Sequence, residues 1–412
     1  MKYLLTFFVA ALCLTSCLGD DDPTPSPDED IKNSRTVIMY MSGENDLSSY
    51  ITLDTAEMKI GSQDLKTNQH FIAFIDKAEK GIAPSIWEFK GGKSEMIKQF
   101  DKDFYNSDPR IMKEVLEWIV SKYPAKSYGL VLWGHASAWY NRSDSVNLSD
   151  DIIYYQSQRA YGRDTGDNTA SATIGKTINI PTLATLLTSL SFKLDFIFCD
   201  CCNMGNVESA YELRKAAKYL IASPAEIPGY GAPYEKIVPC FFSGKADYYN
   251  EAADIYFKDT GNSLPLAVIQ LDQMQQLADA TATILQTINP TKDAELKLDN
   301  LVYYDGKSSS SVRLLYDMKD FMLANASPAD YGIWETALNK AVIHHRCQNN
   351  MRWMTNGHVN FADFKVSEER CGCISMHIPL MKHENNSYSR GLNTYFKNIQ
   401  WYRATGWDKF GW

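Results

Sequence analysis

Two short stretches carry side chains able to do covalent chemistry. Leu132-Trp133-Gly134-His135-Ala136 closes an apolar run on an imidazole, and Asp200-Cys201-Cys202-Asn203-Met204-Gly205 follows a second apolar run with two thiols. A thiolate is a nucleophile, and an imidazole can take its proton and hand it to a leaving amine. A helix starting just past the Cys would pull the thiol pKa down. Backbone N–H groups at Ala136 and Cys202 could hold the oxyanion of a tetrahedral intermediate, at roughly 3–4 kcal/mol per donor. Alternation along the second run puts Phe196, Phe198, Asp200 and Cys202 on one face and leaves Cys199 and Cys201 as packing. The competing reading is bland: a His after a strand is commonly hydrogen-bonded structure, and a Cys in an apolar run is commonly inert.

Other chemistries fail on spacing. Gly92-Lys93-Ser94 and Gly175-Lys176-Thr177 lack the earlier glycine of a phosphate loop, with Trp87 and Ala170 in its place. Neither H-E-x-x-H nor G-x-S-x-G occurs. His344-His345 near Cys347, and Cys371-x-Cys373, lack a second Cys-x-x-Cys or His pair; they read as structural, and no metal ligand is assigned.

Strands must position the His and the Cys. Residues 36–41, 71–75, 128–133, 195–199 and 219–223 are short continuous apolar runs, the pattern of parallel strands covered on both faces. Residues 85–89 and 96–100 read as a hairpin across Gly91-Gly92. Helices are expected over 49–60, from Pro109 with Ile111, Val115 and Ile119 at i, i+4 and i+8, over 181–190 and over 206–217. This order predicts an α/β fold: a mostly parallel sheet flanked by helices, with right-handed crossovers. Such sheets gather groups from the carboxyl ends of neighbouring strands into one crevice, where His135 and Cys202 would fall. Residues 140–176 are polar and aperiodic and read as a long loop carrying Arg142, Arg159, Arg163 and Lys176. Beyond residue 239 the signal weakens: 264–288 and 312–323 read as helical and 373–378 as a late strand.

The 412 residues are 45% apolar and 22% charged with a net charge of −9, which excludes collagen, coiled coil and a polytopic membrane protein and argues against nucleic acid as a partner. Residues 1–16 have a charged start and an apolar segment too short to span a bilayer, the pattern of a secretory signal. Leu14-Thr15-Ser16-Cys17 resembles a bacterial lipobox, which implies cleavage before Cys17 and lipidation of its thiol. Residues 17–35 are acidic and Pro-rich, the composition of an extended linker with nothing to bury. Acidic residues just after such a Cys resemble the surface-export signal of Bacteroidetes lipoproteins. The expected location is thus the cell envelope, lipid-anchored at the outer membrane and surface-exposed.

The body resembles the clostripain family of cysteine peptidases, whose fold is caspase-like. The opening strand and turn are similar to Val37-Ile38-Met39-Tyr40-Met41-Ser42-Gly43-Glu44-Asn45-Asp46-Leu47, and the histidine motif to Leu132-Trp133-Gly134-His135 with Trp139 beyond. The cysteine motif is similar to Asp200-Cys201-Cys202-Asn203-Met204-Gly205. Later segments match Tyr219-Leu220-Ile221-Ala222-Ser223 and Pro228-Gly229-Tyr230-Gly231-Ala232-Pro233-Tyr234. The resemblance implies that His135 and Cys202 are the catalytic pair of an endopeptidase acting on peptides or proteins. It further implies that Asp200 lines the pocket for the residue before the scissile bond, favouring Arg or Lys, and that the chain is cut within 140–176. No organic cofactor is implied, and calcium is left as an option. Residues 36–240 would form the catalytic core and 241–412 a mixed region completing it. The departures are Ala136 for the family's Gly, Cys201 for a small residue and Asn203 for Leu. They motivate the alternative of a decayed scaffold that binds peptides or glycans.

Overall fold

The computed structural model describes residues 34–140, 152–154, 160–166, 169–170, 175–288, 296–306, 313–355, 358–359, 366–385, 389 and 391–409. Cys17, the linker before residue 34, Arg142 and Arg159 lie outside the described residues.

The apolar runs form a nine-stranded sheet. Its strands are β1 (Arg35–Gly43), β2 (Gln69–Lys77), β3 (Ser85–Lys90), β4 (Lys93–Gln99), β5 (Ser127–Gly134), β6 (Leu194–Asp200), β7 (Ala217–Ala222), β8 (Leu266–Gln270) and β9 (Val342–Arg346). They lie in the order β9-β8-β7-β6-β5-β1-β2-β3-β4. The five inner strands β2, β1, β5, β6 and β7 run parallel, and antiparallel pairs close both edges. Burial on both faces explains the unbroken apolar runs: every residue of β1 after Arg35 is buried.

Helices cover the faces for reasons legible in the chain. In α1 (Ile51–Gly61), Ile51, Asp54 and Met58 face inward. In α2 (Pro109–Lys122), Asp108 accepts the Arg110 N–H as a cap, Pro109 occupies the first turn, and Met112, Val115, Leu116 and Ile119 form the buried stripe. Asn179 caps α3 (Ile180–Thr188) in the same way, through the Thr182 N–H.

Three expectations change. Residues 264–288 hold strand β8 followed by a helix over Met274–Leu285, because Leu-Ala-Val-Ile runs into a helical stripe with no Gly or Pro between to mark the switch. Residues 312–323 split likewise into a strand, Arg313–Asp317, and a helix, Met318–Asn325, started by the Asp317 cap. The described parts of 140–176 are not an unstructured loop: Ile152–Tyr154, Lys176–Ile178 and Tyr161–Asp164 make a small antiparallel sheet of strands too short to show periodicity. The main sheet does not stop at residue 240, since β8 and β9 extend it. Among the described residues no helix is long and apolar enough to cross a membrane.

Candidate active site

The inner strands lie in the order β2-β1-β5-β6-β7, so the winding direction reverses between β1 and β5. At such a switch point the connections leave in opposite directions and a crevice opens beyond the carboxyl ends. Register levels the groups there. Met41 of β1 lies opposite Trp133 of β5, and Trp133 opposite Asp200 of β6. His135 and Cys202 each follow two residues later, and they line one cleft of about 60 Å³ together with Leu47, Asp200, Ile227 and Gly231.

His135 follows Gly134, whose φ of +135° and close approach to the Ser42 carbonyl exclude a side chain at that bend. Its Nε2 lies 2.7 Å from Asp46 Oδ1. Asp46 comes from the turn after β1, and its carboxylate also receives the Arg163 guanidinium. Burial pushes the imidazole pKa below its usual value and Arg163 adds to this, while the bond to Asp46 opposes both. With Nε2 held by Asp46, proton exchange with a thiol would fall to Nδ1.

Cys202 sits in the turn after β6, partly buried, and the Ile227 N–H donates to its sulfur at 3.3 Å. The expected helix starts only at α4 (Val207–Leu213), capped by Asn206. The thiol is therefore not lowered. Burial, with Glu226 and Asp200 nearby, pushes it up to about 12. Cys199 and Cys201 are buried as packing, although Cys201 also touches the cleft. All seven described cysteines are free thiols.

The clostripain family profile matches residues 39–412. This chain belongs to the clostripain family. Clostripain of Hathewaya histolytica is 24% identical over 322 residues, covering 71% of this chain and 57% of that protein. The chain thus spans little more than half the length of this curated relative. Among solved structures, a secreted C11 cysteine protease from Bacteroides thetaiotaomicron, in complex with an irreversible peptide inhibitor, matches with a TM-score of 0.72 at 24% identity. The match covers 91% of this chain and 99% of that one. An inactive zymogen C11 protease from Parabacteroides distasonis matches with a TM-score of 0.72 at 22% identity, over 90% and 97%. These likenesses carry the fold: a mostly parallel sheet flanked by helices, caspase-like as expected.

Within this clostripain-family fold, the residue after the histidine keeps an ordinary backbone. Positive φ falls on Ala138 and Asn203, not Ala136. Ala136 pairs with Tyr161 through its neighbours, by the Gly162 N–H to the His135 carbonyl and the Ser137 N–H to the Ala160 carbonyl. That pattern leaves Ala136's own N–H out of the ladder.

Asp200 lies at the cleft floor, fully engaged. Its Oδ2 accepts from Tyr234 Oη at 2.5 Å and the Ala232 N–H at 3.0 Å, and its Oδ1 from Tyr256 Oη at 2.7 Å. Gly231, with φ +67°, packs where a Cβ would strike this carboxylate. Below, Asp54 accepts from Trp133 Nε1 at 2.6 Å, and burial together with the charge of Asp200 raises it to about 9. Burial raises Asp200 as well.

The residue that sequence reasoning missed is Asp46. Its position in Glu44-Asn45-Asp46, just past the end of a buried strand, was the available signal.

Proposed function

We propose that this chain is a cysteine endopeptidase, with Cys202 as nucleophile and His135 as proton carrier oriented by Asp46. The observation that carries the reading is their placement on one cleft wall at the ends of adjacent parallel strands. His135 takes the Cys202 proton as sulfur attacks the scissile carbonyl carbon. The Ala136 and Cys202 N–H groups stabilise the oxyanion. The C–N bond breaks as His135 protonates the leaving amine. Water, deprotonated by His135, then attacks the thioester, releasing the acid and restoring the thiol.

The Asp200 and Asp54 carboxyls below the cleft favour an Arg or Lys side chain before the scissile bond, because an entering cation would stabilise their ionised forms. The cleft volume is well below the ~300 Å³ of a small ligand site, so it must widen to admit a side chain. Strand Tyr161–Asp164 lies against the histidine loop, which fits an uncut precursor that opens after cleavage within 140–176. Lipidation at Cys17 would hold the enzyme at the outer membrane, facing outward, with peptides or proteins as substrates. Residues 241–412 complete the same sheet.

The donor set for calcium fits. Carboxylate oxygens of Glu44, Asp76 and Asp164 lie within 4.8 Å of one another, all buried, and hard oxygen donors suit this ion. Burial and mutual repulsion hold the Asp76 and Asp164 carboxyls well above the usual carboxylate range. A bound calcium would supply charge neutralisation to these three side chains beside the turns after β1 and β2.

The decisive experiment compares hydrolysis of Arg- and Lys-containing peptides by three variants. Cys202→Ala and His135→Ala abolish turnover, while Cys199→Ala retains it. Loss in Cys199→Ala with Cys202→Ala active would overturn the assignment, and absence of hydrolysis by the wild type would favour the binding-scaffold alternative.

A further inference from the structure

The two cysteine fragments set aside in the sequence meet in space. Cys347 directly follows β9, and Cys371 and Cys373 lie in the loop before the short strand Ser375–Met376. Their three sulfurs lie within 4.8 Å of one another, and Cys371 and Cys373 are 3.7 Å apart. Two thiolates on one tetrahedral zinc, each at about 2.3 Å, stand about 3.8 Å apart. A disulfide needs about 2.05 Å. The spacing is that of sulfurs able to share one ion rather than of bonded sulfurs.

The loop is built to hold this arrangement. Cys373 takes φ +52°, a left-handed conformation costly for a residue with a Cβ. Between the two cysteines, the Gly372 N–H donates to Asp317 Oδ2 at 2.9 Å, and the same oxygen accepts from Tyr304 Oη at 2.6 Å. Tyr304 Oη in turn lies 3.2 Å from Cys371 Sγ. Once Cys371 gives up its proton to an ion, the Tyr304 O–H can turn from Asp317 to the sulfur, the kind of outer hydrogen bond that orients a metal ligand. Cys371 and Cys373 are fully buried and Cys347 nearly so.

We propose that Cys347, Cys371 and Cys373 form a structural site for a thiophilic ion of the Zn²⁺ or Cu⁺ class. Sulfur-only donors select these ions over calcium or magnesium. Among the described residues the cluster offers three protein donors. Zn²⁺ would complete its tetrahedron with water, and Cu⁺ would need no fourth ligand. The ion would tie the edge strand β9 to the chain entering Ser375, whose N–H donates to the Gly205 carbonyl at 3.0 Å. Gly205 ends the turn that begins at Cys202, so the ion would brace the nucleophile's support from the far side of the C-terminal region.

The test uses the full reduced chain in a Cys202→Ala background, so that the cleft thiol takes no part. Zn²⁺, Cu⁺ and Cd²⁺ are titrated separately, with elemental analysis for stoichiometry and thiolate-to-metal absorption for the ligands. One equivalent of Zn²⁺ or Cu⁺, a Cd–thiolate band and a higher Tm on loading are expected. Cys371→Ser and Cys347→Ser lose all three signals, while Cys240→Ser, which alters a thiol outside the cluster, keeps them. The metal content of protein taken from its host identifies the ion. The proposal is overturned by binding weaker than micromolar for both ions, by stoichiometry that survives in Cys371→Ser, or by a Cys347–Cys371 or Cys347–Cys373 disulfide in protein taken from its host.

Discussion

Asp46 Oδ1 lies 2.7 Å from His135 Nε2 and on the same oxygen meets the Arg163 guanidinium. One carboxylate from the turn after β1 therefore orients an imidazole from β5 while being partly neutralised by a cation from the small sheet. The imidazole feels both: Asp46 supports its protonated form, Arg163 and burial oppose it.

Replacing Asp46 should show itself in the pH profile. If neutral His135 is the base, activity falls below its pKa. Asp46→Asn removes the interaction that raises this pKa, so the acid limb of kcat/KM moves to lower pH, and kcat falls about 10²-fold with little change in KM. Arg163→Met moves the limb upward. An unmoved acid limb in both variants would reduce Asp46 to a structural partner.

The thiol should titrate late. Because burial, Glu226 and Asp200 push Cys202 up to about 12, alkylation by iodoacetamide in the free protein should rise with pH, close to tenfold per unit, through the neutral range. Glu226→Gln removes a negative charge and should speed the reaction several-fold at fixed pH. A plateau below pH 8, followed by mass spectrometry at Cys202, would mean that the thiolate is already formed.

Cation affinity should rise with pH. Asp54, raised to about 9, keeps a proton at neutrality that an entering guanidinium would displace, and burial raises Asp200 as well. Benzamidine inhibition should thus strengthen as pH increases, by up to about tenfold per unit for each proton released. Asp54→Asn should flatten that dependence and weaken binding at alkaline pH, where the wild-type carboxylate is ionised. Asp200→Asn should cost about 10²-fold in kcat/KM for Arg and Lys substrates. Inhibition that is independent of pH would contradict the acidic-floor reading.

Arg163 should not be the point of self-cleavage. It is buried, its guanidinium is held by Asp46, and its carbonyl accepts from Asn45 Nδ2 at 2.7 Å. A peptidase needs its substrate extended and accessible, so cutting after Arg163 would require this strand to unfold first. Intact-mass and N-terminal analysis of active enzyme should place the new terminus elsewhere within 140–176, and Arg142→Gln or Arg159→Gln should alter it. A terminus at Asp164 would refute this.

Much of the sheet was legible because burial on both faces writes itself into the chain as unbroken apolar runs: β1, β2, β5, β6 and β7 all stood out. His135 and Cys202 stood out for a related reason, each following such a run at a bend. The edge strand β9 did not, whereas the β3–β4 hairpin at the opposite edge did. β9 carries His344 and His345 on a half-buried edge, where a polar residue costs little and leaves no periodic signal.

The five inner strands and the candidate chemistry at their ends were set locally, by residue type and short-range pattern, and the sequence alone sufficed for them. Pairing of distant segments was decided only in three dimensions. Asp46 could reach His135 because β1 lies beside β5; Arg163 was withdrawn from solvent because its strand docks on that same turn; Cys347 met Cys371 and Cys373 because the last edge strand ends against a later loop. Electrostatics followed the same division. A cysteine's reactivity depends on what surrounds its sulfur, and burial beside Glu226 and Asp200 reversed the lowering that a helix end would have given.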